Sequence, residues 1–546
     1  MNKIVQVRTG LLRSARNDAS PHHHITTSPH HHITTSPHHH ITTSSHHHIT
    51  TSKKVIIIGG GISGLTAGVY ARLAGFDTEI YESHHQAGGN CTGWTRGAYH
   101  IDGCIEWVTG SRDNSSLHDI WTTTGALTPE TEVFLPEEIV STFHNGKTYH
   151  LHADIDLLEE TFLQLSPEDA PMIKKLVKYV RQKQHIKIPV KKPFERPDLC
   201  ELARLGYHML KAGMPDRATG RLSVGEFIAR FQSPVIRRLL SCTVHPDMPS
   251  YALFFSLGTR TSGDGGWVNG GSLQFANRIR QRFEALGGVL HLNKAVREIV
   301  IKNRKATGIR LHEDPAEIPA DYIIPAIDAH ALLYKLLDGK YRSAYFEKRF
   351  NNPDKYIISA VTHVALGVNA PLNAPHHLCL EPAEPFLLNG APIPLLNVKT
   401  YGHDPAFAAG GRSLITVLLR DAHFDYWDAL KKQSPEAYQQ EKERLGAWVI
   451  KNLSPVFPAL NGHLEMIDIA TPLTFHRYCH TYKGAYMSFL PGAHARQEFN
   501  RGRIKGIKNL YLAGQWVAPT GGLPMAAATG KFAIQRICRK ERIPVK

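Results

Sequence analysis

Apolar positions follow two rhythms along the chain from Lys53 onward. Residues 55–58 are an unbroken Val-Ile-Ile-Ile run, the pattern of a strand buried on both faces of a parallel sheet. A helix running toward Leu73 is predicted next, then a second strand over residues 78–81. Farther along, a helix is predicted from Gly270, with Leu273, Ile279 and Phe283 on one side. The segments VLHLN, AVREIVIKN and ATGIRLHE then alternate as strands, with residues 303–305 as a hairpin turn. Close to the end, residues 510–513 predict a short buried strand, and Pro524 suits the first turn of an Ala-rich helix. Strand–helix–strand order at the front, with a strand and helix again near the end, predicts the α/β class.

Length changes the picture first. The chain has 546 residues and is 42% hydrophobic, too long for one ordinary core, so at least two lobes are expected. Residues 20–52 are four copies of the octapeptide SPHHHITT, with Ser45 in place of proline in the last copy, and hold twelve of the 34 histidines. One Ile per repeat cannot offset the entropy of ordering the tract. It is either a tolerated tail or a loose chelator, since neutral imidazoles in a row bind Zn, Ni or Cu. The seven cysteines (Cys91, Cys104, Cys200, Cys242, Cys379, Cys479 and Cys538) are dispersed, with no CxxC pair. That scatter predicts free thiols in a reducing compartment and no metal site. Neither a secretory apolar core near the start nor a membrane-length apolar run is visible. A cytoplasmic location follows as the expectation.

The strand at 55–58 leads into Gly59, Gly61 and Gly64, a GxGxxG whose third glycine lies inside the predicted helix. Gly59 allows the tight turn, Gly61 the approach of a pyrophosphate, and Gly64 close packing of helix on strand. Ser63 stands in the first helical turn, where N–H groups and the helix dipole favour phosphate. Glu82 ends the second strand, where a carboxylate accepts hydrogen bonds from adenosine ribose hydroxyls and repels a ribose 2′-phosphate. Gly88, Gly89 and Asn90 follow in QAGGNCTGW, and the far end reads NLYLAGQWVAPTGGLPMAAATGKFAIQ. On these motifs the chain resembles the two-dinucleotide-binding-domain flavoproteins. Within them it resembles the phytoene desaturase family, which includes carotenoid isomerases and retinol saturases.

The resemblance spans nearly all of residues 53–538. It implies a Rossmann-like FAD-binding domain assembled from residues 53–135, 260–345 and 465–546. A substrate domain of mixed sheet and helices would take residues 136–259 and 346–464, with 1–52 outside both. Gly88, Gly89 and Asn90 would run along the FAD pyrophosphate; Asn90 replaces the usual basic residue, and Arg96 is the alternative phosphate contact. The Val296 backbone would meet adenine. Gly514, Gln515, Gly522, Leu523 and Met525 would border the flavin, with the helix dipole near N1 favouring reduction by about 1 kcal/mol. His330 would return the chain to the cofactor.

The implied activity is FAD-dependent oxidoreduction or isomerisation of an apolar unsaturated substrate such as a polyene, isoprenoid or acyl chain. Hydride would pass between a substrate carbon and flavin N5, so no nucleophilic triad is required. Glu106 is the expected polar group on the substrate side; His330 and His480 are weaker candidates. An amine-oxidase-like enzyme with a polar substrate is the rival reading; it would want an aromatic pair flanking the flavin, which Trp516 and Tyr486 leave open, and a non-catalytic flavin scaffold is another. Charge adds one more feature. Residues 174–238 carry 16 Lys plus Arg against five acidic residues, most of the +15 of the whole chain. Within it, Met172, Ile173, Leu176, Val177 and Val180 form an apolar stripe at helical spacing. That is either a cap helix with a solvated basic face or a docking surface for anionic membranes. Nucleic acid is not an expected partner, because no aromatic-interleaved basic module accompanies the charge.

Overall fold

Strand β1 (Lys54–Ile58) passes through a glycine turn into helix α1 (Ile62–Leu73) and returns as strand β2 (Asp77–Tyr81), paired parallel to β1. The computed structural model describes residues 53–113, 115–195, 216, 218–420, 423–496, 498–518 and 520–544. The octapeptide tract and Cys200 lie outside the described residues. β3 (Glu138–His144) and β4 (Lys147–His152) form a hairpin, and α2 (Ala170–Lys183), α3 (Pro234–Ser241) and α4 (Ser250–Thr261) pack over it. Helix α5 (Gly271–Ala285) then leads to β5 (Val289–His291), the hairpin β6 (Val296–Lys302) and β7 (Lys305–Leu311), and β8 (Tyr322–Pro325). Strands β9 (Tyr356–Val368), β10 (His377–Leu380), β11 (Leu396–Thr400) and β12 (Ser413–Arg420) follow. Strands β13 (Leu464–Ala470) and β14 (Ala485–Pro491) and helix α6 (Gly522–Glu541) complete the elements that carry the site.

Two sheets divide these strands. The smaller is entirely parallel in the order β5-β2-β1-β8. It explains the uninterrupted apolar run in β1: α1, α5 and α6 cover one face, while Ile56, Ile58 and Ile323 pack on the other against Leu332, Leu333 and Leu512. The larger sheet is mixed, in the order β13-β9-β12-β11-β10-β3-β4, with β14 also paired to β9. β13 and β14 therefore join this sheet beyond the boundary drawn at residue 465, through antiparallel pairing to β9. Alternation along a strand shows which face is buried but not which partner it pairs with.

Three local expectations change. Residues 510–513 form only a bridge beside β8: Tyr511 N–H donates to Ile323 O at 3.0 Å and Ala513 N–H to Pro325 O at 3.2 Å, too few contacts for a full strand. The buried side of α5 is Phe275, Ala276, Ile279 and Phe283, with Leu273 only half-buried. Cys242 and Cys379 are joined as a disulfide and are not free thiols. Their sequence separation of 137 hides what the fold provides, the end of α3 lying beside β10. The apolar stripe of α2 packs inward, with Ile173, Leu176, Val177 and Val180 buried in the same core as Phe254 of α4.

Candidate active site

A cavity of about 1840 Å³ opens where the carboxyl ends of β1 and β2 meet the glycine turns and the start of α6. The turn after β1 is held by Gly59 N–H donating to Tyr81 O at 2.8 Å. Gly59 has φ +99°, and a side chain there would meet Ile327. At Gly64 an added Cβ would stand 1.9 Å from Gly59 O, so α1 touches the turn directly. Gly61 differs: its missing side chain would meet nothing nearer than Gly88 O at 3.8 Å, leaving backbone bare to the cavity. Among the predicted cofactor residues, Gly59, Gly61, Ser63, Glu82, Gly88, Gly89, Asn90, Val296, Gly514, Gln515, Gly522, Leu523 and Met525 all line the cavity. Gly64 stands behind it as packing.

The wall is polar where a dinucleotide needs it. Among the described residues Ser63 Oγ is buried without a partner in the first turn of α1, and no side chain caps that helix. The N-terminus of α6 is likewise without a side-chain cap, and neither helix has an acidic residue in its first turn. Two open helix N-termini in one cavity favour an anionic group. Glu82 is fixed by Gly60 N–H to Oε2 at 2.6 Å and by His84 N–H to Oε1 at 2.8 Å. Its orientation is therefore set by backbone. Asn90 donates from Nδ2 to Ala485 O and Tyr486 O, each at 3.1 Å, and its Oδ1 is buried without a partner among the described residues. Asn90 thus ties the second glycine turn to β14. Arg96, the alternative phosphate contact, lines the cavity but is paired with Asp468 at 3.0 Å. Gln515 Oε1 accepts from Gly522 N–H at 3.3 Å, which holds the loop before α6. These features fit a bound dinucleotide: bare glycine backbone, an orphaned hydroxyl and a carboxylate at the end of β2.

The rest of the cavity is a chamber between α4 and the large sheet, lined by Ile105, Trp107, Met248, Phe255, Val361 and Leu418 among others. Glu106 projects into it, 22% exposed, with Lys399 Nζ 3.9 Å from its Oε1. Burial alone would raise the Glu106 carboxyl, but Lys399, His377, Arg420 and Arg260 together hold it below the usual carboxylate range. It is a fixed anion, unsuited to donating a proton at neutral pH. Tyr486 lines the same chamber and donates its hydroxyl to Cys104 O at 2.9 Å. Trp516 also lines the cavity, edge-on to Phe489.

The two histidine candidates part ways. His480 lines the cavity in a left-handed conformation. His330 stands outside the lining, stacked on Tyr482. What the segment around it brings to the cavity is Ala326, Ile327 and Asp328. Asp328 had escaped the sequence reading. Burial pushes its carboxyl up to about 6 against three backbone N–H donors, from Tyr482, Ala331 and His330. Its signal was an Asp directly before a helical turn, an N-cap pattern. Lys399, Arg260, Arg420 and Asn397 were also missed, because nothing in their spacing links β11 and β12 to α4.

Comparison with known proteins agrees with this geometry. Residues 62–538 match the family of flavin-containing amine oxidoreductases, and the chain belongs to that family. It is an FAD-dependent oxidoreductase. Among curated relatives it is 25% identical to a phytoene desaturase (lycopene-forming) from Paracoccus sp., over 88% of this chain and 97% of that one. A 4,4'-diaponeurosporene oxygenase from Staphylococcus aureus is 22% identical over 90% of this chain and 99% of its own length. An oxidoreductase from Methanosarcina mazei shares the fold with TM-score 0.57 and 16% identity, covering 88% of this chain and all of that one. A cyclohexylamine oxidase from Brevibacterium oxydans superposes with TM-score 0.52 at 15% identity, over 89% and 99% of the two chains.

Proposed function

We propose that this enzyme desaturates, saturates or isomerises an apolar unsaturated chain of the polyene, isoprenoid or acyl kind, held in the chamber beside the glycine cradle. The observation that carries the reading is the chamber itself: a large, mainly apolar volume continuous with the cofactor residues. Curated relatives named for phytoene and diapophytoene desaturation support the same substrate class. Bound FAD would supply hydride acceptance or donation at N5. The chain's own groups would do the rest. Gly61, Ser63, Gly88 and Gly89 would admit the pyrophosphate, Glu82 would take the ribose hydroxyls, and the start of α6 would face the flavin. Ile105, Phe255 and Leu418 would exclude water, and Glu106 would stay ionised beside Lys399, partly offsetting the positive charge of that wall. The division into cofactor and substrate domains follows the same line, with β13 and β14 as struts between them.

An amine substrate is disfavoured by charge, because a protonated amine in the chamber would meet like charge at Arg420, which lines it. The direct test is mass spectrometry of hydrophobic compounds extracted from purified protein. Long unsaturated chains should be recovered from wild type and lost when Phe255→Glu places a charge in the chamber. Recovery of polar amines instead would contradict the proposal.

The exposed side of α2 would bring the enzyme to anionic membranes, where such substrates dissolve. Arg181 is engaged with Asp156 and Glu159, and Lys175 with Asp216, so Lys174 and Lys178 are the exposed cations chosen for test. Among the described residues no helix is long and apolar enough to cross a membrane.

A further inference from the structure

Three cations surround one carboxylate in the chamber wall. Lys399, 3% exposed, donates to Ile105 O at 3.0 Å and pairs with Glu106. Arg260 is buried, donates to Ile139 O at 2.8 Å, and lies 5.0 Å from the Trp107 ring centre. Arg420, at the end of β12, is exposed and lines the cavity. Its Nη1 and Nη2 donate to Ser241 O at 3.1 Å and Cys242 O at 3.4 Å, which fixes the guanidinium plane. His377, held by Asn397 Oδ1 at 2.5 Å, adds no charge at neutral pH, since burial lowers it to about 4. Asp102, the neighbouring carboxylate, is buried and accepts from Ser272 N–H at 2.7 Å. Burial raises it, against that bond and the Lys399 charge. Among the described residues Glu106 faces all three cations, with Lys399 at 3.9 Å, so a single carboxylate is shared and Arg260 and Arg420 are only partly answered.

A hydrocarbon filling this chamber would leave the Arg420 charge facing a low-dielectric wall, an unfavourable arrangement. An anionic end group would relieve it, and of the five guanidinium N–H donors those not spent on Ser241 O and Cys242 O remain to meet a carboxylate. We infer that the substrate is an amphipathic acid: an apolar unsaturated chain whose terminal carboxylate is gripped by Arg420, with the Asn397 amide lining the same wall. The inference rests on the proposed chamber and narrows its occupant.

The test is equilibrium binding to FAD-loaded protein, read by perturbation of the flavin spectrum and by dialysis. The ligands are all-trans-retinoic acid, its methyl ester and geranylgeranyl diphosphate. Wild type should bind the acid about tenfold more tightly than the ester, and Arg420→Gln should erase that difference while retaining the ester. Arg420→Lys should recover part of it. Equal binding of acid and ester by wild type overturns the inference and leaves the chamber reading standing. Binding of none of the three overturns both. A preference for the acid that survives in Arg420→Gln removes Arg420 from the role, and a tighter grip on the diphosphate overturns the carboxylate. The acid–ester comparison on wild type decides even where the Gln variant fails to fold.

Discussion

The cradle and the chamber share one cavity but are built by opposite means. The cradle acts through backbone: glycines within one stretch between β1 and α1, a second turn a few residues after β2, and the start of α6. The chamber acts through side chains from α4, β9, β11 and β12, brought together only by the pairing of the large sheet. A backbone site restricts residue type at fixed short spacing, whereas a side-chain site tolerates any spacing that the sheet can close. On the proposed function the first would specify the cofactor, and the second the substrate.

Glycine substitutions should break this contrast most sharply. Gly64→Val drives a branched side chain into Gly59 O, where even a Cβ would stand at 1.9 Å. We expect destabilisation of about 3 kcal/mol or no folded protein. Gly61→Val meets no protein atom closer than 3.8 Å at its Cβ, so it should fold with a melting temperature near that of flavin-stripped wild type yet purify without flavin. Melting curves and flavin absorbance of the two variants read the difference; a yellow Gly61→Val protein would break the cradle assignment.

The next largest effect is electrostatic and lies in the large sheet behind the chamber. His363 and His377 are each lowered by burial to about 4. The unfolded chain therefore binds protons that the folded one refuses as pH falls from about 6.5 toward 4, so stability must drop across that window. Each histidine contributes on the order of 3 kcal/mol at full extent. His377→Asn should flatten part of the slope in denaturant titrations at several pH values, while the same slope in the variant would show that His377 titrates normally.

Glu106→Gln removes the carboxylate beside nearly buried Lys399 and should destabilise by about 2 kcal/mol, tempered by the partial exposure of Glu106. Glu106→Gln with Lys399→Met should regain most of that, and a double-mutant cycle measures the coupling. The Glu106 contribution is present above the ordinary carboxylate range and fades as pH falls through its lowered value. The smallest effect belongs to α2, where Lys174→Glu with Lys178→Glu should weaken sedimentation with anionic vesicles by about 1 kcal/mol per residue, more so at low salt. Equal pelleting of wild type and variant would leave α2 as a cap helix alone.

The sequence made the cradle legible because glycine, an unbroken apolar strand and an acidic residue at the end of β2 each have a local physical reason. It also placed β6, β7 and their turn nearly as observed. What it missed required distance: the Cys242–Cys379 disulfide, the pairing of β13 and β14 with β9, and the charges around Glu106. Glu106, which lines the cavity, could be named from its place near the glycine turns in sequence; Arg420, which lines the same cavity, had no neighbour to mark it.

The central claim is that one FAD in the cradle exchanges hydride with an unsaturated apolar chain in the chamber. The measurement is anaerobic flavin absorbance of the purified protein against polyenes and their more saturated counterparts. Either the oxidised flavin should bleach with the more saturated chain or the reduced flavin should regain its colour with the polyene, and both changes should vanish in Phe255→Glu. A flavin that keeps its oxidation state with every such chain, yet bleaches with an amine, would contradict the account.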